Sequence, residues 1–176
     1  MKNTQHKAPS AKVGAQSPAS IGDWSKERPD LDHDIQLVRA RLVRIEARVR
    51  HDNDRVARNY GISGAEMRIL FALRRTGSPY RLRPTDLFEA LLVPSATMTR
   101  QLAHLEQLGY VGRVSDADDR RVTLVHLTPQ GVSVADDALT EAVQRSRFTQ
   151  VLKTLTPAER ATLNGFLGRL ATALDL

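Results

Sequence analysis

The chain has 176 residues, of which 26 are Lys or Arg and 20 are Asp or Glu, for a formal net charge of +6. This length suits one domain with extensions, and the basic balance is compatible with a polyanionic partner without requiring one. The absence of cysteine excludes disulfides and thiolate metal sites, and no apolar run approaches the roughly 18 residues of a membrane span.

The N-terminal part of the chain predicts a tail followed by helices. Residues 1–20 are basic, contain no acid and are predicted to be a disordered tail, either a passive extension or an arm that contacts phosphates. Residues 21–62 are predicted to supply the N-terminal helices of a dimerisation module. The long helix, Asp34 to Tyr60, carries one apolar stripe, which we expect to be buried: Ile35, Val38, Leu42, Ile45, Val49 and Val56.

Residues 63–127 are predicted to form a winged helix-turn-helix domain. Ser63 and Glu66 match a capping box at the start of its first helix. A short helix near Pro84 should turn Leu87, Leu91 and Leu92 inward. A second helix should run from about Ser95 to Leu108, with Met98, Leu102, Leu105 and Leu108 buried and Gly109 at its end. Strands at Tyr110 to Val114 and Val122 to Leu127 then form a hairpin, the wing.

The other face of the second helix carries hydroxyl, guanidinium, amide and imidazole groups, whereas an ordinary solvated face more often carries Glu and Lys. These groups can read base edges or bind phosphates in a major groove. The residues of this predicted DNA-binding face are Ser95, Thr97, Thr99, Arg100, Gln101 and His104. A winged helix used only for protein contacts would carry apolar or acidic side chains here.

The tip of the hairpin combines two arginines with several acids. Arg120 or Arg121 is predicted to reach the adjacent minor groove. Asp118 and Asp119 admit two interpretations, turn chemistry or orientation of an arginine through a charge-assisted hydrogen bond, of which we favour the second.

Residues 128–176 are predicted to supply the C-terminal dimerisation helices. One helix should run from Thr128 and Pro129 to about Leu152, and another should begin at Thr156 with Glu159 in its capping box. The last helix has an apolar stripe too extensive to face water: Leu163, Phe166, Leu167, Leu170 and Leu174. The first and last helices thus expose apolar stripes that the winged domain alone should not cover, which predicts a dimerisation module made by helices from both termini. The predicted fold class is mainly α with a small β-hairpin wing (α+β).

The sequence does not favour an enzyme. It contains no nucleophile elbow, P-loop, HExxH or GxGxxG motif, and its acids are dispersed or lie at helix starts and the wing. Its five histidines are scattered without paired-ligand spacing, so we expect no metal and no cofactor. No signal peptide is visible, so we expect a cytoplasmic protein without membrane contact.

The segments PSATMTRQLAHLEQLGYV and DADDRRVTLVHLTPQG resemble the MarR family of bacterial transcription regulators, and most of all its urate-responsive branch. The resemblance implies a homodimer on an inverted-repeat operator in double-stranded DNA, released by a small effector. A repressor is expected, and an activator or a winged-helix protein-interaction module remains the alternative.

The same resemblance implies an effector site. Effector contacts of the relatives match Trp24, Arg100 and Arg113, and Arg68 stands where those relatives have an Asp. The effector is expected to be a small aromatic carboxylate or a purine-like molecule. The reversed charge at Arg68 favours the aromatic carboxylate over urate, because arginines pair with a carboxylate through two hydrogen bonds.

Overall fold

The computed structural model describes residues 28–116, 119 and 121–175. The predictions for the N-terminal tail, Trp24, Asp118 and Arg120 lie outside these residues. The chain divides into two units, Met1–Arg44 and Ile45–Leu176. No helix in the described ranges is both long and apolar enough to cross a membrane.

The first helix, α1, spans His33–Ala57 and continues as a 3-10 turn over Arg58–Tyr60. Gly61 ends it with φ 72°, a left-handed conformation that glycine adopts without steric cost. The predicted helix is thus confirmed. Val56 of its apolar stripe is buried in the single chain and Ile35 is 57% exposed, which agrees with the expectation that the winged domain alone does not cover this stripe. Val38, Leu42 and Ile45 are exposed as well.

The winged domain begins with two helices that lie on either side of a short strand in the chain. Helix α2 spans Gly64–Arg75, and the predicted capping box of Ser63 and Glu66 is present at its start. Strand β1 is Arg81–Leu82, and α3 follows at Pro84–Leu91. Leu87 is fully buried and Leu91 packs partly against the core.

Leu92 does not turn inward as predicted. It is 73% exposed, and its φ of 52° ends α3 in the left-handed region. The reversal of the chain at this residue directs the side chain away from the face that Leu87 occupies.

The second helix of the motif and the wing agree closely with the prediction. Helix α4 spans Ser95–Gln107, and Gly109 follows it with φ 73°. Strands β2 (Val111–Ser115) and β3 (Thr123–Leu127) pair antiparallel, and β1 pairs antiparallel with the other edge of β3, which gives the strand order β1-β3-β2. The mainly helical fold with a small antiparallel sheet is therefore confirmed as a winged helix-turn-helix.

Three helices complete the chain: α5 at Pro129–Arg145, α6 at Arg147–Thr154 and α7 at Pro157–Ala173. The single helix predicted from Pro129 to about Leu152 is wrong, because Ser146 adopts an extended conformation and its hydroxyl caps α6. The capping box of Thr156 and Glu159 at α7 is confirmed.

The core of the second unit lies among α2, α3, α4 and the sheet. Met98, Leu102 and Leu105 of α4 are buried there as predicted. They share the core with buried side chains of α2, α3 and β3, namely Met67, Ile69, Leu70, Leu73, Leu87 and Val125. One face of α4 therefore packs against the core, and its opposite face is exposed to solvent.

Candidate nucleic-acid interface

The solvent face of α4 begins at the start of the helix. Pro94 is the N-cap residue and provides no side-chain cap, so the N–H groups of the first turn keep their hydrogen-bonding capacity for an outside acceptor such as a phosphate. Ser95, Thr99 and Arg100 are exposed and Thr97 is half-buried. The hydroxyl of Thr99 donates to the carbonyl oxygen of Ser95 at 2.9 Å, which leaves its lone pairs available.

Gln101 departs from the prediction that it lies on the exposed face of α4. It is only 9% exposed, and its Oε1 has no hydrogen-bond partner among the described residues. The residue lies three positions after Met98 and four before Leu105, so it occupies the border of the apolar face.

His104 is half-buried, and its ring is tied to α2. Its Nδ1 lies 2.7 Å from Oε1 of Glu66, a residue that is 7% exposed. Burial raises the pKa of the Glu66 carboxyl group, but hydrogen bonds from Ser63 and His104 outweigh burial and hold that pKa below its ordinary value. Glu66 is therefore a carboxylate at neutral pH that caps α2 and fixes a side chain of α4.

At the wing, Arg121 is exposed and its backbone is fixed by Asp119. The carboxylate of Asp119 accepts a hydrogen bond from the backbone N–H of Arg121 at 2.9 Å. In the described part of the wing, Asp119 therefore stabilises the turn, which is the interpretation that we did not favour. The guanidinium of Arg121 has no ion pair with any described acid, and Arg120 lies outside the described residues.

The residues expected to bind an effector lie on three different elements. Arg68 is half-buried on α2 and Arg100 is exposed on α4, and neither has a hydrogen bond or ion pair within the described ranges. Arg113 of β2 pairs with Glu106 of α4 at 2.6 Å. Glu106 follows Arg100 by six residues, which is about 120° around the helix. Within those ranges no hydrogen bond or shared ion pair links the three arginines, and Trp24 lies outside them.

Several interactions that position these elements could not be read from the sequence. Arg74 of α2 pairs with Asp136 of α5 through two hydrogen bonds of 2.8 and 3.1 Å. Glu141 of α5 accepts hydrogen bonds from Asn59 and Tyr60 after α1. The capping pattern identified Glu66, but its second partner, His104, is 38 residues away and leaves no local signal.

The fold and the polar face of α4 define a winged helix-turn-helix protein, a class in which the second helix enters the major groove of DNA. Comparison with known proteins agrees. The profile of the MarR family matches residues 60–122. The HTH-type transcriptional regulator PecS of Dickeya dadantii is 33% identical over 150 residues, covering 85% of this chain and 89% of PecS.

Solved structures show the same architecture. A mutant of Escherichia coli MarR complexed with operator DNA is 25% identical, has a TM-score of 0.56, and covers 84% of this chain and 96% of its own. Sco3205, a MarR family regulator from Streptomyces coelicolor, has a TM-score of 0.70 at 24% identity over 83% of this chain and 91% of its own, a likeness of fold. The chain belongs to the MarR family of DNA-binding transcriptional regulators, which are not enzymes.

Proposed function

We propose that the chain is a repressor that binds an inverted-repeat operator as a homodimer and releases it when a small aromatic anion binds. The exposed hydroxyls and guanidinium on the uncapped start of α4 carry this proposal. The MarR mutant solved with operator DNA supports it, since that relative shares the fold. Because the target is chromosomal DNA, the cytoplasmic location expected from the sequence is part of the proposal.

The proposed contacts follow from the exposure of each side chain. Thr97, Thr99 and Arg100 contact base edges or the nearby backbone, and Ser95 contacts a phosphate beside the helix N-terminus. His104 contacts a phosphate farther along α4. Arg121, with Arg120 as its neighbour in sequence, reaches the minor groove beside the wing. Gln101 is not among these contacts, since its side chain is buried.

The homodimer is supported by apolar side chains that the single chain leaves exposed. Helix α7 has no buried residue at all, and its predicted stripe is exposed, with Phe166 53% accessible. The N-terminal part of α1 exposes a second stripe of Ile35, Val38 and Leu42. A second copy of the chain covers both stripes, and the dimer presents two α4 helices about 34 Å apart to successive major grooves.

The effector class is supported by the arginines. Arg68 and Arg100 have no acidic partner among the described residues, so each guanidinium has its full set of donors for a carboxylate. An aromatic carboxylate combines two such hydrogen bonds with stacking on a planar guanidinium or on the ring of Trp24. Urate lacks this match, because the Asp that accepts its hydrogen bonds in the resembling branch is replaced by Arg68.

The function is tested by a gel shift with the DNA upstream of the protein's own gene, in the presence of urate or of aromatic acids such as salicylate and 4-hydroxybenzoate. We expect specific binding that an aromatic acid releases and urate does not. Arg68→Asp should reverse that preference, while Arg75→Asp, which removes an exposed arginine from the same helix, should not. Specific binding that only urate releases would reject the effector class, and binding no stronger than to unrelated DNA would argue against this operator.

A further inference from the structure

We propose that His104 contacts a DNA phosphate only as a protonated imidazolium, so that each subunit takes up one proton at this side chain when it binds DNA. The inference deepens the proposed function and rests on it, because it requires the α4 face to meet DNA. It follows from the hydrogen bonds around Glu66, which determine which nitrogen of His104 carries a hydrogen.

Both oxygens of Glu66 are used as acceptors. Oε2 accepts from the backbone N–H of Ser63 at 2.7 Å and from the Ser63 hydroxyl at 2.8 Å. Oε1 lies 2.7 Å from Nδ1 of His104. A carboxylate can only accept hydrogen bonds, and the lowered pKa of Glu66 keeps this group ionised at neutral pH. The hydrogen of the third contact therefore resides on Nδ1 of His104.

This assignment determines what the other ring nitrogen can do. In a neutral imidazole with its hydrogen on Nδ1, Nε2 carries a lone pair and is an acceptor. A phosphate oxygen is also an acceptor, so neutral His104 cannot bind it. The side chain is 42% exposed, and no described residue hydrogen-bonds to Nε2. Protonation turns Nε2 into a donor and lets the ring bridge Glu66 and a phosphate.

Glu66 is the acid that pairs with the ring of His104 in the described part of the chain. Helix α4 packs against α2, α3 and β2. On α2, Glu66 contacts the ring and Arg68 carries no acid partner. On α3, Asp86 accepts from the backbone N–H of Arg83. On β2, Arg113 pairs with Glu106 of α4 itself. Arg100 lies one helical turn before His104. The buried carboxylate and an incoming phosphate, both negative, together favour the imidazolium.

The test measures DNA affinity against pH. The probe is a fluorescein-labelled duplex that the purified full-length protein enriches from a random-sequence library, and anisotropy is followed from pH 6.0 to 8.5 at constant ionic strength. For the wild-type protein we expect affinity to fall as pH rises, with a slope approaching tenfold per pH unit for each coupled proton. Failure to enrich any duplex would count against the proposed function itself.

Glu66→Gln separates this mechanism from a simple charge effect. The amide oxygen of Gln can still accept from Ser63, while its NH2 group donates to Nδ1 of His104. The hydrogen of neutral His104 then moves to Nε2, which can bind a phosphate without added protonation. The variant should therefore bind at pH 8.5 at least as tightly as the wild type, and its pH slope should be nearly flat.

Three further variants control the experiment. His104→Gln leaves the capping box intact. Its DNA affinity should not change with pH and should equal the weak affinity of the wild type at high pH. Glu106→Gln removes an acid from the same helix, and His51→Gln removes an exposed histidine from α1. Both should keep the wild-type slope. A wild-type slope in Glu66→Gln or in His104→Gln, with enriched DNA still bound, would overturn the proton coupling.

Discussion

Gly131 in the first turn of α5 packs directly against the backbone carbonyl of Tyr110, the residue before β2, so closely that a Cβ atom at this position would overlap the carbonyl oxygen. The same turn is fixed by Thr128, whose backbone N–H donates to the Tyr110 carbonyl at 3.1 Å and whose hydroxyl accepts from the Gly131 N–H at 3.0 Å. The wing and α5 therefore meet backbone to backbone at this point.

Gly131→Ala should lower the free energy of unfolding by about 2 kcal/mol, because the added methyl group must displace backbone rather than a flexible side chain. Urea denaturation followed by circular dichroism measures the change. Ser133→Ala, at an exposed position of the same helix, should stay within about 0.5 kcal/mol of the wild type. Equal stability of the two variants would contradict this close approach.

Gln101→Met should raise the free energy of unfolding by about 1 kcal/mol. The amide oxygen of Gln101 is buried without a partner, and replacing such a group by an apolar one of similar size removes its desolvation cost. Thermal unfolding gives the change in stability, and Gln107→Met, at an exposed site of the same helix, is the matched control. A destabilised Gln101→Met would mean that the amide oxygen is hydrogen-bonded in solution.

Acid stability should depend on Glu66. Its pKa is lowered in the folded state from a reference of 4.5, so its contribution to stability is present above that value and is lost as pH falls through the folded-state pKa. Wild-type stability should therefore decline between about pH 5 and pH 3, and Glu66→Gln should decline less. Denaturant midpoints measured at several pH values decide this, and parallel curves would rule Glu66 out as a contributor.

Arg121→Ala should weaken DNA binding and reduce the slope of log K against log salt by about 0.9, the value for one phosphate contact on B-DNA. Arg147→Ala, an exposed arginine on α6, is the control and should leave the slope unchanged. An unchanged slope in Arg121→Ala would remove this residue from the DNA contacts.

Phe166→Glu should convert the proposed dimer into a monomer, because it places a charge in the centre of the exposed α7 stripe. Light scattering coupled to size-exclusion chromatography measures the mass. Thr162→Glu adds the same charge to the same helix at a residue whose hydroxyl donates to the carbonyl oxygen of Ala158 one turn earlier, and this variant should remain dimeric. A dimeric Phe166→Glu would show that α7 lies outside the interface.

Local patterns predicted most of the fold, because caps and apolar spacing act within a few residues. The capping boxes at Ser63 and Thr156 are of this kind. The errors concern burial and helix ends that depend on tertiary packing rather than on local sequence. The helical spacing of Leu92 predicts a buried side chain, but α3 ends before this residue. Gln101 is polar, yet it lies at the edge of the core. Ser146 interrupts a helix whose periodicity continues weakly past it.

The candidate site was predicted less completely than the fold. The exposed positions of α4 follow from helical spacing, so Ser95, Thr99 and Arg100 could be assigned from the sequence alone. The partner of His104 could not be, because it is brought there by the packing of α2 against α4. The ion pair of Arg74 with Asp136 joins residues 62 positions apart for the same reason.

The strand order β1-β3-β2 has a mechanical consequence. Leu82 and Arg113 both pair with Val125 of the central strand, so the segment that holds α3 and α4 leaves and returns to a single strand. The segment with α3 and α4 is therefore held at both ends by the central strand β3, so the position of α4 is coupled to that of the wing. In the proposed dimer, we expect an effector to act by changing the distance between the two α4 helices, so that they no longer match the spacing of successive major grooves.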